Sequence, residues 1–149
     1  RKKEKGMFKI SRRLDYGIQL MVALAETDQN LPIPTAKLSS QLNIPLPFLH
    51  QIGHTLMQSG LIKASPGPRG GLRLNQPAEN ITLLQITEAL EGTVCLINCA
   101  ECGQPRREEP PCTMKGLWDY LQFNLVNQLS GLRLSMPVNG AVNRLNSMK

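Results

Sequence analysis

All four cysteines fall between Cys95 and Cys112, separated by three, two and nine residues. Thiolates are the usual protein ligands of iron–sulfur clusters, because soft sulfur matches iron. The same donors suit zinc: Cys99-x2-Cys102 is a common half-site, and all four thiolates together would close a tetrahedron. Thiols that react without any metal are a third reading. No export signal is visible, so such a cluster points to metal or redox chemistry rather than to a disulfide framework. Nothing else speaks for catalysis. There is no Walker-type loop and no His-Glu-x-x-His, and Gly67-Pro-Arg-Gly-Gly71 lacks the Lys-Ser/Thr of a phosphate loop. No enzyme and no small-molecule substrate are expected.

A second constellation precedes the cysteines. The segment from about Pro47 to Gln58 reads as a helix, with proline tolerated in its first turn. Phe48, Leu49, Ile52 and Leu56 would face a core, and Pro47, His50, Gln51 and His54 would face outward. Gln pairs with adenine edges, and neutral His donates or accepts. The bland alternative is a pair of surface histidines without a role. This helix holds no Arg or Lys, so phosphate neutralisation must come from elsewhere. Candidates are Arg12 and Arg13 at the start of the first helix, Lys37, and Arg69 and Arg73 in a Gly-rich hairpin, with Ser11 beside them as an uncharged DNA-binding candidate. An arginine at a hairpin tip suits a minor groove; otherwise Arg69 is simply an exposed turn residue.

The elements that must position these residues follow from periodicity. Leu14, Ile18, Met21, Val22 and Ala25 mark a helix from Ser11 to about Thr27. A short helix over 35–42 follows, broken at Asn43-Ile44-Pro45, then the 47–58 helix, stopped by Gly60. Residues 61–64 and 72–74 are strand candidates around a Pro/Gly turn. Thr82 and Gln85 form a capping box that opens a helix ending at Glu91. From Thr93 to Pro111 no period is visible. Leu117, Leu121, Leu125 and Leu129, beside Trp118, then describe an amphipathic helix over about 114–130. Three short helices with a hairpin describe a winged helix-turn-helix. The expected fold is therefore mainly α with a small β-hairpin wing, plus a long C-terminal dimerisation helix. The expected domains are 7–80 for DNA binding and 81–136 for the cysteine loop and dimer helix. Flexible tails are expected at 1–6 and 137–149.

Composition agrees. The 149 residues suit one domain with an appended helix, and 41% hydrophobic content argues against a wholly disordered chain. Apolar runs such as Leu20–Ala25 are far short of the roughly 18 residues of a membrane span. Membrane, collagen-like and secreted mini-protein classes are excluded, and Met7 suits a natural start, with the preceding residues a leftover. The net charge of +6 is uneven: residues 1–75 carry +7 and residues 76–149 carry −1. A basic half joined to a near-neutral half suits a nucleic-acid-binding module with a separate regulatory part, although a solvated basic face would look the same.

The chain resembles the bacterial iron–sulfur cluster regulator family, the IscR/NsrR-type winged helix-turn-helix repressors. The resemblance rests on Met7-Phe-Lys-Ile-Ser11 followed by Asp15-Tyr16-Gly17, on Ile44-Pro-Leu-Pro-Phe-Leu49, and on Leu56 with Ser59-Gly-Leu-Ile62. It continues through the Gly67…Gly70-Gly71 wing, Ile81-Thr-Leu…Ile86, Glu91-Gly92, and Cys112 six residues before Trp118. It covers about residues 7–136. It implies a cytoplasmic bacterial regulator, a homodimer with crossing C-terminal helices around Leu117, Trp118, Leu121, Leu125 and Leu129, and a palindromic double-stranded DNA target. It also implies a [2Fe–2S] or [4Fe–4S] cluster held by Cys99, Cys102 and Cys112, with Cys95 a spare thiol or a substitute for Cys99 or Cys102. One branch of the family takes a fourth ligand from a histidine where this chain has Lys115. Another takes a carboxylate from the partner subunit's first helix, where Asp15 stands, although an exposed carboxylate is the plainer reading of that residue. Two departures bear on the target sequence: Pro66 replaces a basic residue before the wing glycine, and His50 replaces an acidic or polar one. A metal-free or zinc-containing repressor of the same fold is the nearer alternative. A small electron carrier would leave the basic half unexplained.

Overall fold

The computed structural model describes residues 9–28, 30–96 and 115–136. Helix α1 (Arg12–Glu26) starts at Ser11, whose extended backbone and side chain form the N-cap by accepting from Leu14 N–H at 3.1 Å. Its buried side is Gly17, Leu20, Met21 and Leu24. Helix α2 (Thr35–Leu42) ends at Asn43, which takes the left-handed conformation (φ 53°) that Asn tolerates. Pro45 then leads into α3 (Leu46–Gln58), which buries Leu49, Ile52, Gly53 and Leu56.

Strands β1 (Ile62–Ser65) and β2 (Gly71–Leu74) pair antiparallel, from Ile62 opposite Leu74 to Ser65 opposite Gly71. The other edge of β2 takes a single-residue bridge from Ile33, with Ile33 N–H donating to Leu72 O at 2.9 Å and Leu72 N–H donating to Ile33 O at 2.8 Å. Sequence periodicity does not report this bridge, since one residue has no period. It brings the Ile33 carbonyl so close to Gly71 that any Cβ there would collide with it.

A 3₁₀ turn at Ala78–Asn80 leads to α4 (Leu83–Glu91). The capping box is present as expected: Gln85 N–H donates to Thr82 Oγ1 at 3.2 Å, and Thr82 N–H donates to Gln85 Oε1 at 2.9 Å. Ile81, Ile86 and Leu90 of this region join one core with Leu20, Leu38, Leu49, Ile52, Leu56 and Leu72, so apolar packing runs across residue 80 without a break. Each such side chain contributes about 1.5–3 kcal/mol by leaving water. The mainly helical fold with its hairpin wing is as read from the sequence.

Helix α5 (Lys115–Gly131) packs against α4. Beyond it the chain is fastened to the winged-helix core. Leu83 N–H donates to Leu132 O at 2.8 Å, Leu134 N–H donates to Ile81 O at 2.9 Å, and Arg133 Nη1 donates to Glu79 O at 2.7 Å. The expected tails at 1–6 and 137–149 lie outside the described residues.

Candidate nucleic-acid interface and cysteine segment

Helix α3 is amphipathic in the expected sense. Leu49, Ile52 and Leu56 are buried, while Pro47, His50, Gln51 and His54 are all exposed. Half-buried Phe48 meets Tyr16 of α1 edge-to-face, ring centroids 5.4 Å apart. Arg13 Nη2 donates to Thr55 Oγ1 at 2.9 Å, and Thr55 Oγ1 donates to the Gln51 carbonyl at 3.1 Å. The outward residues thus project from a helix whose rotation is set by apolar packing, one aromatic pair and one side-chain tether from α1. Arg13, read from sequence as a phosphate cation, is here engaged in that tether. No pattern in the sequence links positions 13 and 55.

Arg12 is exposed at the start of α1. The Ser11 hydroxyl is committed twice, as the α1 cap and as donor to the Glu91 carboxylate at the end of α4. In the hairpin, Gly70 N–H donates to Gly67 O at 2.9 Å, closing the turn that carries exposed Arg69. Arg73 is half-buried on β2, and its Nε is shielded from solvent with no hydrogen-bond partner among the described residues. An unsatisfied buried donor of this kind costs about 1–3 kcal/mol.

Of the cysteines, Cys95 is described and exposed; Cys99, Cys102 and Cys112 lie outside the described residues. Gln122 of α5 holds the stretch around Cys95 with both ends of its amide. Its Nε2 donates to Val94 O at 3.0 Å, and its Oε1 accepts from Leu96 N–H at 3.1 Å. Gln122 was not singled out from the sequence, because nothing local distinguishes it from a surface glutamine. Asp15 is exposed in the first turn of α1 and accepts from Gln19 Nε2 at 3.1 Å. Among the described residues no group of three or more His, Cys, Asp or Glu is assembled for a metal ion. The donor set implied by the resemblance, three thiolates and one carboxylate, is chemically suited to iron.

Along α5, Leu117, Leu121 and Leu125 are 47%, 40% and 37% exposed, whereas Leu129 and Trp118 are half-buried. Four residues advance a helix by about 40° beyond one full revolution. The leucine row therefore winds around the helix, from exposed Leu117 to half-buried Leu129, instead of running straight. Tyr120 and Phe123, off that row, are 63% and 64% exposed. Apolar side chains thus occupy more of the circumference than one stripe.

A family model described as an iron-dependent transcriptional regulator, Rrf2, matches residues 10–139. The HTH-type transcriptional regulator IscR of Cereibacter sphaeroides is 39% identical over 88 residues, covering 58% of this chain and just over half, 57%, of that relative. The IscR of Klebsiella pneumoniae is 27% identical over 124 residues, covering 83% of this chain and 76% of its own length. Among solved structures, CymR, the global cysteine regulator of Bacillus subtilis, superposes with a TM-score of 0.72 at 27% identity, covering 85% of this chain and 93% of that one. Winged-helix architecture, a family match along most of the chain and transcriptional regulators as relatives agree: the chain belongs to the Rrf2 family of transcriptional regulators.

Proposed function

We propose that this regulator is a homodimer that binds a palindromic DNA operator in the bacterial cytoplasm. It senses redox state, nitric oxide or iron–sulfur status through a cysteine-ligated iron–sulfur cluster. The observation that carries the DNA half is the outward row Pro47, His50, Gln51 and His54 on a helix locked by its buried face. In helix-turn-helix docking, such a row meets base edges in the major groove. Arg12 and Arg69, both exposed, supply charge toward the backbone and the minor groove.

For the sensing half, Cys99, Cys102 and Cys112 would hold the cluster, with Asp15 of the partner subunit as the oxygen ligand. A bound cluster would supply one-electron redox chemistry. Asp15 sits on α1, the helix that also tethers α3 through Arg13 and Thr55. If Asp15 held the cluster, the Arg13–Thr55 tether would link that site to α3, the two-site linkage that allosteric control requires.

The deciding experiment is anaerobic purification, with iron and sulfide counting and an absorption spectrum. A brown protein that bleaches in air supports the cluster. A colourless protein without iron sinks it and favours thiol-based sensing. That second reading draws on the likeness to CymR, the global cysteine regulator of Bacillus subtilis. Zinc in the same sample would assign the thiolates to a structural site instead.

A further inference from the structure

The outer face of the wing carries a charge arrangement that folding alone does not favour. Lys63 and Arg73 stand directly opposite each other in the β1–β2 register. Their neighbours Ile62, Leu72 and Leu74 are buried, so strand alternation turns this cationic pair away from the core. Like charges directly opposite across an antiparallel pair destabilise it. No carboxylate lies between Ile62 and Leu74 to offset them, and Arg69 adds a third cation at the tip. That repulsion would be relieved by an oxyanion laid over this face.

We propose that Lys63 and Arg73 form a two-cation clamp for one DNA backbone phosphate in each half-site. Side chains directly opposite on one face start about 5 Å apart at Cβ, so an ammonium and a guanidinium converge on a single phosphate. Arg73 contributes a fork of paired donors and Lys63 a compact charge. A contact of this kind fixes where the wing lies on the duplex and carries no base information. The wing then has a backbone anchor on its strands, in a chain whose residue before the wing glycine is Pro66 rather than a cation. The clamp rests on the DNA-binding reading of the chain.

The test uses the full chain and a duplex selected by it from a randomised library, with anisotropy titrations at several salt concentrations. The double variant K63Q/R73Q should flatten the log–log salt slope by about 2 per dimer, one phosphate per subunit at about 0.9 each. K63E should give opposite signs in two readouts: a higher Tm, because the cross-strand pair becomes attractive, and weaker DNA binding. A neutral methylphosphonate at the clamped phosphate should weaken the wild type and leave the double variant unaffected. Wild-type binding with an unchanged slope in the double variant overturns the clamp while leaving the regulator standing. So does K63E with a lower Tm or undiminished affinity. A wild type that captures no duplex overturns the regulator reading and the clamp together.

Discussion

Gln51 and Gly17 show how differently single residues serve this chain. Gln51 is exposed on α3, and its carbonyl, not its side chain, takes part in the Thr55 bond, so its amide is available to a base edge. Gln51→Ala should cost about 1–3 kcal/mol at one base pair while leaving non-specific affinity nearly unchanged. Competition titrations with operator and random duplexes measure this, and equal losses on both would contradict a base-reading role. Gly17 works inside the fold. A Cβ there would collide with the terminal methyl Cδ1 of buried Leu90, so the absence of a side chain makes room for Leu90 between α1 and α4. Gly17→Ala should lower stability by about 1–3 kcal/mol through overpacking, despite alanine's better helix propensity. A denaturation midpoint equal to or above that of the wild type would show that the Leu90 side chain can repack without loss.

At the scale of elements, what the sequence disclosed and what it withheld divide along a physical line. Helix α3 was legible because Leu49, Ile52 and Leu56 repeat at helical spacing, and α4 because the Thr82–Gln85 box is local. The Ile33 bridge, the Arg13–Thr55 tether and the Ser11–Glu91 bond were not, since each joins residues far apart in sequence and leaves no periodic trace. The Gln122 clamp belongs to the same class and joins α5 to the start of the cysteine segment. Gln122→Leu keeps the side chain's approximate volume and removes both bonds, so amide exchange at Leu96 should accelerate, by roughly the tenfold that a 1–1.5 kcal/mol hydrogen bond represents. Exchange at Leu132–Leu134, fastened separately to Ile81 and Leu83, should hold. Unchanged protection of Leu96 would mean that other contacts retain the segment. Of the expected metal site, Asp15 and Cys95 are described, while the remaining thiols lie outside the described residues.

The whole molecule must account for α5. A helix with exposed apolar residues on several sides belongs in a buried setting, and among the described residues α5 leaves Leu117, Tyr120, Leu121, Phe123 and Leu125 exposed although it packs against α4. A second copy crossing at Leu117, Leu121 and Leu125 would cover the rest. Leu121→Asp with Leu125→Asp should then yield a monomer, or an unfolded chain if the monomer is not stable alone; sedimentation showing the wild type monomeric at micromolar concentration would remove the premise. In such a dimer the partner's Asp15 is within the logic of the ligand set, and a mixed dimer can test it. One chain carries Asp15→Ala and the other Cys112→Ala. If Asp15 serves the partner, both lesions fall on one site and the other site is intact, so the mixed dimer keeps one normal cluster, with about half the iron and an unaltered spectrum. If Asp15 serves its own chain, one site lacks the carboxylate and the other lacks a thiolate, and no normal spectrum survives. Damage at both sites overturns the cross-subunit ligand and leaves the regulator assignment intact, because the winged-helix fold and the family match do not depend on it.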